Sequence, residues 1–323
     1  MTDINGILPV YKPRGMVSKD VSRALTRTLG RIRMGHAGTL DPMAEGVLPI
    51  MLGNATRYQD FVVAMPKAYE FDVALGYETT TLDAEGEVVL RSPVPPLMRQ
   101  PTDIIAGLSG TRMQIPPVHS AVKIDGKPLY EYARSGRALP VPVENLARQI
   151  TIHELTLITQ AVDLLTYRVR CSKGTYVRVL AKEIAQSLGT CGTVTRLVRT
   201  MSGGIGQENA VPFEVCNKSA DEIRPLLISP ESLNLPVPRA QCESEEISRK
   251  LRNGLPVALD RVRFFPDKAL FSGVETARAP DFFGAPEALA SDVLLFSGTI
   301  AFGIGSVFQD DSGRSLVRMR RGL

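Results

Sequence analysis

The sequence predicts an α+β protein, on three observations. Tyr69-Glu70-Phe71-Asp72-Val73-Ala74-Leu75 alternates apolar with polar residues, the mark of a half-buried strand. Residues 149–158 and 164–171 are two further apolar-patterned runs separated by a short polar break, and they read as paired strands. Val21, Ala24, Leu25, Thr28 and Leu29, and later Val177, Ala181, Ile184 and Leu188, recur at helical spacing.

The remaining elements follow in chain order. Residues 6–11 read as a strand that ends in the basic turn Lys12-Pro13-Arg14-Gly15. Ser18 reads as the N-cap of the first helix, and Gly30 closes it. Lys19, Arg23 and Arg27 form one stripe of that helix. The stripe is either a solvated face or, with Lys12, Arg14, Arg31 and Arg33, a phosphate-facing surface. Residues 47–52 form an apolar run that predicts a buried strand, and 56–64 have a helical pattern. Thr79 to Gly86 form a turn, and a connection with Pro93, Pro95 and Pro96 leads to a short helix at 103–108. Residues 193–200 read as another strand. Leu235-Pro236-Val237-Pro238 is linker-like. Beyond it come a helix at 247–254, two strands within 293–308, the hairpin turn Asp310-Asp311-Ser312-Gly313 and a strand at 315–318. Residues 261–290 are rich in Pro, Ala and Phe and match no recognised pattern.

Composition narrows the function classes. The chain is 44% hydrophobic and 22% charged, ordinary for a globular protein. A net charge of +4 and a pI near 8.9 suit a nucleic-acid partner without requiring one. Cys171, Cys191, Cys216 and Cys242 lack CxxC spacing, so neither a zinc site nor a disulfide framework is expected, and a reducing cytoplasm is the simplest setting. With three histidines, His36, His119 and His153, a metal site is not expected. The first residues lack a signal-peptide pattern. The longest uncharged stretch, 293–308, is sixteen residues and is interrupted by Gly298, Gly303 and Gly305, so no membrane-spanning helix is expected.

The stretch that stands apart is Gly35-His36-Ala37-Gly38-Thr39-Leu40-Asp41-Pro42-Met43-Ala44-Glu45-Gly46. Its glycines permit positive φ, and Pro42 pushes Asp41 toward an extended conformation. The expected result is a shaped loop that presents the Asp41 carboxylate, braced by the strand after it. Asp41 is thus either a turn organiser or a reactive carboxylate. A second unusual stretch, Cys171-Ser172-Lys173-Gly174-Thr175-Tyr176-Val177-Arg178, opens a helix. An arginine in a first turn opposes the helix dipole, so Arg178 should have an acidic partner, and Asp41 is the candidate.

These two stretches carry a resemblance. Gly35-His36-x-Gly38-x-Leu40-Asp41-Pro42-x-Ala44-x-Gly46 resembles the catalytic motif of the bacterial tRNA pseudouridine synthases (TruB family) that modify uridine 55 of the TΨC loop. Cys171 to Arg178 is similar to that family's Cys-Ser-Lys-Gly-Thr-Tyr-x-Arg. So are Gln114-Ile115-Pro116-Pro117 with Ser120-Ala121-Val122-Lys123, and Gly126-Lys127-Pro128-Leu129-Tyr130-Glu131-Tyr132-Ala133-Arg134. The resemblance covers about residues 6–205. Departures are Thr80 where an aspartate is common, His119 where many relatives have an aromatic, and Val198 in place of the first arginine of a Leu-Arg-Arg segment.

The resemblance implies the pseudouridine-synthase fold, a central mixed, largely antiparallel sheet flanked by helices, over residues 1–235. It implies a thumb-like RNA-binding insertion at 117–146 and a small C-terminal PUA-like β-barrel at 236–323. Asp41 would be the nucleophile, Arg178 its ion-pair partner, and Tyr69 the base-stacking residue; the alternation alone favours Tyr69 as a core aromatic. Tyr176 and Leu197 would wall the pocket. His36 would contact the RNA loop or stabilise its own. Lys12, Asp83 and Lys123 would contact substrate RNA. No cofactor and no metal are implied, since the reaction is an isomerisation. The implied partner is the T arm of tRNA, with the protein acting as a monomer in the cytoplasm. Two other readings stand beside this one: an RNA-folding chaperone with little catalysis, and a hydrolase using Asp41 with Glu45 or Asp83 as a carboxylate pair.

Overall fold

The structure is a computed structural model and describes residues 4–94, 100–136, 138–265, 292–298 and 300–322. Most of residues 261–290, together with Pro95, Pro96 and Arg137, therefore lie outside the described residues. In chain order the first part contains β1 (Gly6–Lys12), α1 (Ser18–Leu29), β2 (Met34–His36), β3 (Glu45–Leu52), α2 (Gln59–Ala64), β4 (Lys67–Leu75), β5 (Tyr77–Thr79), β6 (Val88–Arg91), α3 (Ile105–Leu108) and β7 (Gly110–Gln114). Then come β8 (Lys123–Ile124), β9 (Lys127–Pro128), α4 (Leu129–Ser135), β10 (Arg148–Gln160), β11 (Leu164–Cys171), α5 (Val177–Ser187), β12 (Gly192–Ser202), β13 (Ile205–Gly206), β14 (Val211–Pro212) and α6 (Ala220–Ile223). The last part contains β15 (Arg239–Cys242), α7 (Glu245–Arg252), β16 (Val257–Ala258), β17 (Val262–Phe265), β18 (Asp292–Ser297), β19 (Ile300–Gln309) and β20 (Ser315–Gly322).

Ten strands form the main sheet, in the order β14-β1-β3-β12-β4-β11-β10-β7, with β2 on β3 and β13 on β12. Pairing is antiparallel except at β1–β14 and β3–β12. The sheet is mixed and largely antiparallel, as the resemblance implies. Both faces are covered. Along β3, Leu48, Ile50 and Leu52 join a core with Val21, Ala24 and Leu25 of α1 and Leu180, Ala181 and Ile184 of α5. Val47 and Met51 point the other way, to Phe61 and Val62 of α2. Period-two alternation therefore buries both sides of β3, which explains why its sequence shows no polar face. Each such side chain contributes about 1.5–3 kcal/mol on full burial.

β4 buries Tyr69, Phe71, Val73 and Leu75, as its alternation predicts, and the same period buries Lys67. The short helix placed at 103–108 is reduced to the single turn of α3. Val17, not Ser18, is the N-cap of α1, and the Asp20 carboxylate accepts from the Val17 amide at 3.3 Å. That frees the Ser18 hydroxyl for the loop between β2 and β3, where it meets Leu40.

A second sheet, in the order β16-β20-β19-β18-β15-β17, follows the linker-like Pro236–Pro238 stretch, with α7 against it. It is the small PUA-like unit of the fold. The unit is not free-standing: Leu294, Ala301 and Ile304 pack into the same cluster as Ile7, Met51 and Phe61 of the first part.

Candidate active site

The loop between β2 and β3 carries Asp41, and three contacts shape it. The amide of Leu40 donates to the Ser18 Oγ at 2.8 Å, and that hydroxyl lies 3.1 Å from the Leu40 carbonyl. The Gly15 amide donates to the Pro42 carbonyl at 2.7 Å. Arg199, fully buried, donates from Nε to Val47 O (2.8 Å) and from its two terminal nitrogens to Thr39 O (3.2 Å) and Gly38 O (3.0 Å). Gly46 is required where β3 meets β12: its φ is +110°, and a Cβ there would lie 2.3 Å from Arg199 O. This close approach brings Leu197 and Arg199 alongside the loop.

Arg178, in the first turn of α5, has the acidic partner that its position requires. Its Nε lies 2.9 Å from the Asp41 Oδ2. One terminal nitrogen donates to Thr81 O at 2.7 Å and lies 3.4 Å from Asp83 Oδ2; the other donates to His119 O at 3.0 Å. The guanidinium is 5% exposed and the Asp41 side chain 39%, so the arginine is sealed behind a carboxylate that remains open. The open side is a cavity of about 320 Å³, within the size range of small-ligand sites. Tyr69, Tyr176 and Leu197 line it with Asp41 and Arg178. Burial raises the Tyr69 pKa, opposed by the neighbouring Arg199, so the phenol is neutral.

The structure thus brings Asp41, Tyr69, Arg178, Tyr176 and Leu197 to one cavity. Four expected RNA-binding residues do not line it. Lys12, expected on the surface, is fully buried; its ammonium donates to Met16 O at 2.6 Å and Pro13 O at 3.0 Å, and so shapes the basic turn instead of meeting phosphate. Burial lowers its pKa to about 8. Asp83 is also buried, accepting from the Thr81 hydroxyl (2.6 Å) and the Glu85 amide (3.1 Å) beside Arg178. It positions the arginine and is closed to RNA, and the carboxylate-pair hydrolase loses that partner. His36 is half-buried in β2, and burial, reinforced by Arg199, lowers its pKa, so the ring is neutral. Lys123 is exposed on the two-stranded β8–β9 ribbon of the insertion between β7 and β10. In the same insertion Arg134 stacks on Tyr130 at 5.5 Å.

Sequence reasoning missed Lys67, Arg199 and Ser18. Lys67 is buried under the cavity, with its ammonium on Val63 O and Met65 O, both at 2.8 Å. A signal existed for two of them: Lys67 and Arg199 each stand two residues from a buried pocket residue, Tyr69 and Leu197, on the same strand face. A cation on an apolar face marks a committed hydrogen-bond donor.

Solved structures share this architecture. The chain aligns over 98% of its length, with a TM-score of 0.67 and 16% identity, to a chain covered for 84% of its length in the structure of an H/ACA RNP bound to a substrate RNA containing 2'-deoxyuridine. A Cbf5-Nop10-Gar1 complex gives the same TM-score and coverage at 19% identity. The fold is the pseudouridine-synthase fold. At the sequence level, residues 26–177 match the TruB family pseudouridylate synthase N-terminal domain. The chain is 38% identical over 284 residues to tRNA pseudouridine synthase B of Ralstonia pickettii (strain 12J), across 86% of this chain and 88% of that protein. It is 40% identical over 273 residues to the protein of the same name from Geobacillus kaustophilus (strain HTA426), across 80% and 94%. The chain belongs to the TruB family of pseudouridine synthases.

Proposed function

We propose that this protein isomerises uridine to pseudouridine in tRNA, at position 55 of the TΨC loop, with Asp41 as the nucleophile. The observation that carries this reading is the 2.9 Å Asp41–Arg178 pair, whose carboxylate faces a cavity walled by Tyr69, Tyr176 and Leu197. A base inside a stem-loop must leave its stack to reach such a cavity, and an aromatic wall recovers part of the lost stacking. Tyr69 is that wall. The carboxylate adds to a ring carbon of uracil or to the anomeric carbon of the sugar. The N1–C1' bond breaks, the base turns, C5 bonds to C1', the bond to the carboxylate breaks, C5 gives up its proton and N1 takes one. The carboxylate is regenerated, and the base has exchanged its N1–C1' and C5–H bonds for C5–C1' and N1–H. The atoms balance with no oxidant, water or phosphate donor.

Arg178 keeps Asp41 aimed through the step, and Asp83 holds Arg178. The insertion at 117–146, with exposed Lys123 and Lys127 and the aromatic Tyr130 and Tyr132, is the part of the reading that grips the T arm. The same reading places the protein in the cytoplasm, acting on tRNA as a monomer.

The test needs no cofactor. Purified protein is incubated with an unmodified tRNA transcript, and pseudouridine is mapped along the chain. Product at position 55 is expected from the wild type, with none detectable from Asp41→Ala while tRNA is still bound. Modification confined to other loops would overturn the substrate assignment. Undiminished product from Asp41→Ala would remove that carboxylate from the reaction.

A further inference from the structure

Among the described residues, five cationic side chains line the cavity, Lys67, Arg148, Lys173, Arg178 and Arg199, against the single carboxylate of Asp41. Three of the five are committed inward. Lys67 is held by two carbonyls, Arg199 by three, and Arg178 by Asp41, Asp83 and two carbonyls. Arg148 and Lys173 differ. Neither is in an ion pair or donates a side-chain hydrogen bond among the described residues, and the Nε of Arg148 is buried without a partner. Arg148 instead lies over the Tyr176 ring at 5.9 Å, and Lys173 is exposed on the adjacent turn. The Arg148 side chain runs past Gly174, where a Cβ would meet its Cδ at 3.5 Å.

We infer that Arg148 and Lys173 form a phosphodiester-binding subsite at the mouth of the cavity, which takes the backbone phosphate next to the extruded uridine. This inference rests on the proposed RNA substrate. Uracil is uncharged, so it offers a free cation at the mouth carbonyl oxygens but no counter-charge. The nucleotide that carries the base has a phosphate on each side, and extrusion swings one of them to the rim. The planar fork of Arg148 matches two phosphate oxygens at once, and stacking on Tyr176 orders it beforehand. Lys173 adds a mobile point charge beside it. The committed cations Lys67, Arg178 and Arg199 shape the protein. These two are left for the substrate.

The test uses RNA stem-loops in which one phosphodiester, on the 5' or the 3' side of the target uridine, is replaced by an uncharged methylphosphonate. Wild-type protein should bind one of the two probes about tenfold more weakly than the all-phosphate RNA, the effect of removing one charge-assisted hydrogen bond. Arg148→Met/Lys173→Met should bind all-phosphate RNA more weakly by a similar factor and be indifferent to that methylphosphonate. Its slope of log K against log salt should fall by about 0.7 for each phosphate that is no longer neutralised. Lys173→Met alone, at an exposed position, keeps the fold and should show part of that fall in slope; Arg148→Lys keeps the charge and should keep most of the slope. A double variant as sensitive to the methylphosphonate as the wild type, or with an unchanged salt slope, would overturn the subsite. These are binding measurements, so they read the subsite even if the wild type forms no pseudouridine, an outcome that would overturn the proposed function instead.

Discussion

At the scale of the residue, Arg178 joins four parts of the protein through one planar group. Its Nε faces Asp41, and its terminal nitrogens reach Thr81, Asp83 and His119. The β2–β3 loop, the 79–86 turn and the base of the insertion between β7 and β10 therefore share one guanidinium. A lysine could satisfy one of these acceptors but lacks the fork for all of them. Beneath the cavity Lys67 presents a different balance. Burial, reinforced by Arg199, lowers its pKa from 10.5 to about 8. The folded protein therefore sheds this proton before the unfolded chain does. Below pH 8 the cost of holding the buried ammonium is carried in full, and it is relieved as pH rises from 8 toward 10.5. Measured by urea unfolding, the stability of the wild type relative to Lys67→Met should rise by roughly 1–2 kcal/mol between pH 7.5 and 9.5. A pH-independent difference would contradict the assignment.

At the scale of the element, the site depends on one contact between neighbouring strands. β12 lies parallel to β3 over only two residue pairs, Val198 with Glu45 and Arg199 with Gly46. That short contact sets Leu197 and Arg199 beside the loop, and any side chain at position 46 would push the strands apart. From the opposite side, α1 holds the loop through Ser18, whose hydroxyl answers both the amide and the carbonyl of Leu40. Ser18→Ala leaves those two backbone groups unpaired at a buried site. It should destabilise the protein by about 1–3 kcal/mol in denaturant titration. It should also lower kcat for pseudouridine formation more than it raises KM, since Ser18 touches the loop and not the cavity. An unchanged kcat would show that the loop keeps its shape without the clamp. The sequence pointed to α1 and to a polar first residue. It assigned the hydroxyl to the wrong partner, because a capping side chain and a long-range clamp look identical until Leu40 is placed.

At the scale of the whole molecule, the main sheet is buried on both faces by different means. Helices α1 and α5 cover one, while α2 and the C-terminal sheet cover the other. Tyr58 also donates to Glu231 at 3.0 Å, tying the segment before β15 to the helical layer. Ile304 sits in the shared cluster at 2% exposure. Ile304→Ala should cost about 2–4 kcal/mol, and the two sheets should still unfold together in one calorimetric transition. Two separated transitions would mean that the C-terminal sheet folds independently of the main sheet. The linker-like prolines near residue 236 suggested a looser junction than the packing shows. Composition reports the backbone stiffness of a connection; it does not report the apolar surface that the connected parts bury against each other.

Local chemistry alone determined much of this protein. The alternation of β4, the β10–β11 pair, the stripes of α1 and α5, and the glycine- and proline-shaped loop that presents Asp41 depend on near neighbours in the chain, so their signals are readable there. The need of Arg178 for an acid was legible too, because a first-turn cation opposes its own helix. Tertiary structure decided where each cation points. Lys12, read as an RNA contact, turned inward to carbonyls; Asp83 became the support of an arginine; Lys67 and Arg199 became the floor of the site. A charged side chain carries no mark of whether it will face water, phosphate or a buried carbonyl. That depends on which distant strand or turn the register brings beside it.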